Sequence, residues 1–242
     1  MEHYGPETYG ERVADVYDTW YKAGDPTSEV AFLHELAGGG RALELGIGTG
    51  RVALPLAASG VDVHGIEASP AMVERLRAKP GGETITTLIG DMADVAVDGT
   101  FALVFVVYNT FFMLLTQADQ VRCFRNVAAC LAPGGRFVVH AFVPDLSSIE
   151  RGEALEVRDA SLDFVRLNAT TFDRMNQRLD TTQVRITEQG TRLVHAKLRY
   201  AFPPELDLMA EVAGLSLEAR YATFDKQPFT AESAMALSVY RA

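Results

Sequence analysis

Apolar and polar positions divide the chain into short apolar runs alternating with segments of helical period. The short apolar run that starts at Arg41 and stops at Glu44 and the glycines after it, Val61 to Glu67, Thr84 to Ile89 and Phe101 to Val107 read as four strands. The last is almost continuously apolar, as a parallel strand covered on both faces would be. Helical spacing is predicted over 7–23, where Val13, Val16, Tyr17, Trp20 and Tyr21 recur, and over 27–37 and 51–59. Ser69-Pro70 supplies an N-cap and a first-turn proline for a further helix. Thr116-x-x-Asp119 resembles a capping box and opens a helix bearing Val121, Phe124, Val127 and Leu131. Leu131-Ala-Pro-Gly-Gly135 is expected to end that helix and introduce a fifth strand, Arg136 to Phe142.

From Glu153 to Tyr200 the period falls to two, which predicts antiparallel strands. A hairpin across Glu188-Gln189-Gly190 is expected to put Val184 and Ile186 on one face with Val194, Ala196, Leu198 and Tyr200. Gln183, Arg185, His195, Lys197 and Arg199 would then take the other face. A helix over 205–213 and strands near 215–221 and 234–240 complete the chain, and the short connection between those strands makes them antiparallel. The fold class is therefore α/β, a doubly wound Rossmann-like sheet of seven strands whose last pair is antiparallel, with a small antiparallel β cap. The expected parts are N-terminal helices over 1–40, a core over 41–150, the cap over 151–202 and a C-terminal completion of the sheet over 203–242.

A length of 242 residues and a hydrophobic content of 48% suit one globular domain with a cap. The formal net charge of -10 opposes partners that need a basic surface, so neither nucleic acid nor membrane is expected and a small molecule is. The apolar stretch from Phe101 to Leu115 is too short to span a bilayer and contains Asn109 and Thr110. No signal-peptide pattern precedes residue 10, and Cys123 and Cys130, about 10 Å apart along a helix, are expected to stay reduced. These features fit a cytoplasmic protein. A homodimer through the cap is the protein partner that the pattern suggests.

The chemistry is concentrated in Glu44-Leu45-Gly46-Ile47-Gly48-Thr49-Gly50-Arg51, a strand that stops at a tight turn before a helix. Glycines allow positive φ and let a ligand approach bare backbone, and the free N–H groups of the following helix face that ligand. A dinucleotide site wants G-x-G-x-x-G, but Arg51 stands where the third glycine would be. The carboxylate before the turn also suits a cationic ligand. Glu67, 21 residues beyond Gly46 at the end of the next strand, is placed to accept hydrogen bonds from ribose hydroxyls, a device shared by both cofactor classes.

The E-x-G-x-G-x-G turn, Glu67, the Gly90-Asp91-Met92 turn and the run from Thr116 through Leu-Ala-Pro-Gly-Gly resemble class I methyltransferases that use S-adenosylmethionine (SAM). The likeness covers about 10–145 and 200–242 and is strongest to bacterial enzymes that methylate amino sugars and other secondary metabolites. It implies SAM as cofactor and a strand order of 3-2-1-4-5-7-6. It implies that Glu44, Gly46, Gly48, Gly50, Arg51, Glu67 and Ala68 hold the cofactor. Asp91 and Met92 would take the adenine, with Tyr17 and Tyr21 closing over the site and Tyr108 and Asn109 at the end of the fourth strand. The expected reaction is methyl transfer to a nitrogen or oxygen of a small molecule by positioning and in-line displacement. His140 and Tyr108 are the candidate catalytic residues, His140 because imidazole accepts a proton near neutral pH. No metal is expected, since the histidines lack ligand spacing. An NAD(P)-dependent oxidoreductase and a non-catalytic SAM-fold binding protein remain as alternatives.

Overall fold

The computed structural model describes residues 4–21 and 25–242. Its N-terminal part is α1 (Thr8–Val13), α2 (Tyr17–Trp20) and α3 (Thr27–Ala37). The single helix expected over 7–23 is thus broken, and residues 22 and 23 lie outside the described residues. In one straight helix Asp15 and Asp18 would share a face. Here Asp15 pairs with Arg192 of the cap, while Asp18 pairs with Lys79 and accepts the Thr49 hydroxyl at the cofactor turn.

The core follows as β1 (Ala42–Leu45), α4 (Ala53–Ala58), β2 (Val63–Glu67), α5 (Pro70–Arg77), β3 (Thr86–Ile89), β4 (Phe101–Val106), α6 (Gln117–Cys130) and β5 (Leu131–Phe142). The expected caps form: Ser69 accepts Met72 N–H and Thr116 accepts Asp119 N–H. The fifth strand begins at Leu131 rather than Arg136. Leu131 pairs with Phe101, and the Pro-Gly-Gly segment is taken into the strand as an irregularity in the ladder with β4.

A short helix, α7 (Leu146–Arg151), leads to the cap, made of β6 (Glu153–Ala160), β7 (Phe164–Asp173), β8 (Arg178–Thr187) and β9 (Gly190–Arg199). The chain closes with α8 (Pro203–Val212), β10 (Ser216–Tyr221) and β11 (Met235–Arg241). The seven-stranded sheet runs β10-β11-β5-β4-β1-β2-β3, and the cap is a separate four-stranded sheet in sequential order. Both neighbours of β11 are antiparallel to it, and the remaining pairs are parallel. This is the order that the family resemblance implies. Its ligand crevice lies where β1 and β4 send their connections to opposite faces.

The alternation within β8 and within β9 is as read from the sequence, but the two strands pair one residue away from that reading, so Val184 and Ile186 share a face with His195 and Lys197 instead of Val194 and Ala196. Thr187 pairs with Gly190 across a two-residue turn, so Val184 lies opposite Leu193, and Gln183 opposite Val194. A one-residue slip exchanges every side chain between faces. Val194 is fully buried with Val13, Trp20 and Met72, whereas Ile186 and Leu193 are exposed.

Two apolar layers cover the sheet, one centred on Phe111, Phe124 and Tyr240 and the other on Phe32, Leu33, Leu56 and Phe105. Arg199, 5% exposed, ties cap to core by donating to Gln120 at 2.6 Å, Gln177 at 3.1 Å and Glu205 at 2.7 Å. Among the described residues no helix is long and apolar enough to cross a membrane.

Candidate functional site

The carboxyl ends of β1, β2 and β3 open into a cavity of about 1070 Å³, counting its mouth. Gly46, Gly48, Glu67, Ala68, Asp91, Met92 and Tyr17 line it, together with Ile66, Met72, Thr110, Met113, Leu114 and the N-terminal Tyr4 and Tyr9. Gly46 and Gly48 have φ of 70° and 56°, which only glycine adopts without strain. A side chain at Gly46 would strike Thr110, while one at Gly48 would meet nothing closer than a carbonyl at 3.9 Å and would stand in open space.

Glu67 is fixed from both sides, accepting Gly48 N–H and Ser69 N–H at 2.9 Å each. Burial raises its pKa, and those N–H groups pull it partly back. Asp91 accepts Ala93 N–H at 2.8 Å through Oδ1, so it also holds its own turn. Glu44 lies beneath the turn and is 4% exposed. Burial pushes its pKa well up against the support of Ala53 N–H, and Glu67 adds to the rise. Its Oε2 is buried without a hydrogen-bond partner, and so is Arg51 Nε.

The N-terminal helices are fastened over this cavity. Glu11 accepts Ser69 Oγ–H at 2.7 Å and Ala71 N–H at 3.1 Å. Tyr9 donates to the Tyr21 hydroxyl at 3.0 Å, and Tyr21 donates to Gln183 of the cap. Burial raises the phenol pKa of Tyr9 well above its ordinary value and that of Tyr17 to about 12.

Other expected site residues lie outside the cavity lining. Tyr21 stands behind Tyr17, ring centroids 5.0 Å apart, and Arg51 stacks on the Tyr108 ring at 4.2 Å. Tyr108 and Asn109 have φ of 56° and 71°, a kink that turns them away from the crevice. The Tyr108 hydroxyl donates to Glu29 at 2.6 Å, and Asn109 Oδ1 accepts Phe142 N–H at 2.7 Å. His140 is 8% exposed, takes Tyr108 N–H on Nδ1 at 3.3 Å and packs on Phe224 at 4.8 Å. Burial lowers its pKa to about 4, partly offset by Glu29. The sequence reading missed Tyr4, Tyr9, Met113 and Glu29. Tyr9 was within reach, because 9, 13 and 17 are helically spaced.

Residues 42–135 match the family model of a methyltransferase domain. The CcbJ methyltransferase from Streptomyces caelestis has the same architecture with a TM-score of 0.90, at 40% identity over 99% of both chains. The chain is a class I SAM-dependent methyltransferase. The methyltransferase is also 28% identical over 234 residues to the cypemycin N-terminal methyltransferase of a Streptomyces species, covering 94% of this chain and 95% of that one. SAM-bound CalS10, an amino pentose methyltransferase from Micromonospora echinaspora, shares the fold with a TM-score of 0.70 at 22% identity, over 93% of this chain and 96% of that one. SAM is the cofactor, and the cavity fits it. The backbone is bare where Gly48 faces the open space, and Glu67 and Asp91 set carboxylates in its wall; Glu44 Oε2 and Arg51 Nε, buried and unpartnered, lie behind the lining.

Proposed function

We propose that this methyltransferase methylates an amine nitrogen of a small molecule. The observation that carries the reading is the character of the titratable groups around the cavity. Tyr4, Tyr9 and Tyr17 are phenols whose pKa values burial has raised, Glu67 and Asp91 are committed to the cofactor end and to backbone N–H groups, and Asp119 is held by the Thr116 hydroxyl and Arg122. Among the described residues no histidine or lysine lines the cavity, and His140, held neutral by burial, is outside it. A hydroxyl acceptor needs a base to become a nucleophile, whereas an amine with a pKa of about 8–10 reaches its neutral form by losing a proton to water. The faces of Tyr4, Tyr9 and Tyr17 favour a cation, which is the charge state of an amine product before it loses a proton. The N-terminal methyltransferase relative, whose name specifies an amino group, supports the same acceptor class.

SAM supplies a methyl group on a cationic sulfur, open to in-line displacement. The chain's own contribution is placement and water exclusion. Glu67 would hold the ribose hydroxyls, and Asp91 and Met92 the adenine. The orphan oxygen of Glu44 and the guanidinium of Arg51 would meet the ammonium and carboxylate of the methionyl end. Tyr17 and Tyr9 would close the cavity from above, with Tyr21 bracing both.

The test is a panel of amines, phenols and alcohols incubated with the enzyme and SAM, with products located by mass spectrometry. N-methyl products are expected, and methylation confined to oxygen acceptors would overturn the reading.

The outer face of the cap supports self-association. Leu155, Val157, Ile186 and Leu193 are exposed there. Four strands of about ten residues span roughly 650 Å² at ordinary sheet spacings, close to the ~800 Å² per partner of a stable interface. A second copy of this chain is the occupant we assign to it.

A further inference from the structure

The inner face of the cap carries a charge pattern that the methyl-transfer site does not use. Arg166, Arg185 and Arg192 are direct cross-strand partners on β7, β8 and β9. They share the face of Val194, which meets Trp20 of α2. Strand spacing puts the three backbone positions within about 10 Å. Like charges directly opposite one another are destabilising, and a chain of net charge -10 does not acquire such a row from a basic composition.

Among the described residues only part of this charge is answered: the register sets Asp159 of β6 opposite Arg166 on its other side, with no ion pair between the two. Arg192 forms a two-pronged pair with Asp15 at 2.6 and 2.7 Å. Arg185 stacks on aromatic rings, 4.3 Å from Phe164 and 5.6 Å from Trp20. Arg166 donates to the Trp20 carbonyl at 3.0 Å, and its Nε is buried without a partner. Two positions along the same face, Asn168 Oδ1 is also buried and unpartnered. A shallow cleft of about 570 Å³, counting its mouth, opens beside Trp20, Arg185 and Arg192. Two tyrosine rings connect the row to the wall of the catalytic cavity. Arg166 lies 5.9 Å from the Tyr21 ring, which is 5.0 Å from Tyr17 in the cavity wall.

We propose that Arg166 and Arg185, with Trp20, form an oxyanion subsite, and that the methyl acceptor is an amine bearing an acidic group that docks there. The proposal rests on the amine-acceptor reading for the other end of the molecule. Guanidinium groups offer paired N–H donors that match carboxylate or phosphate oxygens, and the indole beside them shields the pair from water. An acidic group at this row orients the acceptor with its amine toward Tyr17 and the cavity. Acceptors that lack the acid leave the like charges unanswered, which makes the row a specificity device.

Trp20 is the only tryptophan in the chain, so its fluorescence reports on this site alone. The protein, saturated with S-adenosylhomocysteine, is titrated at constant ionic strength with glutarate, inorganic phosphate and neutral glutaramide. A saturable fluorescence change with glutarate or phosphate is expected, at least about tenfold weaker with glutaramide. It should be lost in Arg166→Gln and in Arg185→Gln while S-adenosylhomocysteine affinity is unchanged. Saturation by glutarate alone assigns a carboxylate, and by phosphate alone a phosphoryl group. Arg185→Gln is expected to keep or raise Tm, because one of three like charges is removed. A lower Tm with no saturable response to either oxyanion would make the row a structural clamp and overturn the proposal, as would an equal response to glutaramide. The readout needs no methyl transfer, so its failure is separate from a failure of the amine reading, which the product panel reports.

Discussion

Gly48 N–H donates to Glu67 Oε2 across 2.9 Å, so the carboxylate ending β2 is hydrogen-bonded to the glycine turn that ends β1. The two cofactor elements are one rigid unit. Glu67→Gln puts an amide where Gly48 and Ser69 both present N–H donors, so its oxygen can accept from one while its NH2 group faces the other donor. We expect SAM affinity to fall by about 1.5–3 kcal/mol, measured calorimetrically. Gly48→Val should be worse, because φ of 56° disfavours a branched residue and its side chain would fill the open space that the cofactor needs. Unchanged affinity in both would place the cofactor elsewhere.

Glu44 makes the stability of the cofactor-free protein depend on pH. Burial raises its folded-state pKa above the unfolded value, so the folded state holds more protons between the two. Stability is therefore greatest in acid with respect to this group and is lost as pH rises from the ordinary carboxylate range through the folded pKa. Glu44→Gln should raise Tm at neutral pH, flatten that part of the profile and weaken SAM binding. Thermal melts of both proteins from pH 5 to 8 check this, and identical profiles would remove Glu44 as the source.

His140 acts in the opposite sense. Its pKa of about 4 in the fold lies below the unfolded value of about 6.5, so its contribution is present above pH 6.5 and is lost as pH falls through 4. His140→Gln should remove this acid-sensitive component and leave SAM affinity intact. Because the ring is buried against Tyr108 and Phe224, turnover should not show the roughly 10²–10⁴-fold drop that loss of a general base causes. A drop of that size in a well-folded variant would restore the catalytic role.

Sedimentation should report a dimer that Leu193→Asp converts to monomer without loss of SAM binding. Leu193 is 61% exposed on the outer face of β9, so the substitution should leave the fold intact. A wild-type protein that is monomeric at high concentration would remove the cap as a self-association surface.

The core was legible in the sequence because its information is local. Strand β4 is apolar throughout because both its faces are covered, Ser69 and Thr116 cap their helices within three residues, and the Glu44 to Arg51 turn states its geometry in its glycines. The strand order needed the family resemblance, since sequential elements fix which segments are strands but not which lie side by side. Tertiary structure alone decided the rest. A two-residue turn set the β8–β9 register and turned Arg185 inward and Leu193 outward, although both patterns alternate equally well. Left-handed backbone at Tyr108 and Asn109 took them out of the cavity and gave Tyr108 to Glu29, 79 positions away. Tyr4 and Tyr9 reached the cavity because α1 is held by Ser69 and its preceding segment by the edge of β9. Such placements depend on contacts between residues far apart in the chain, and a local pattern carries no record of its distant partner.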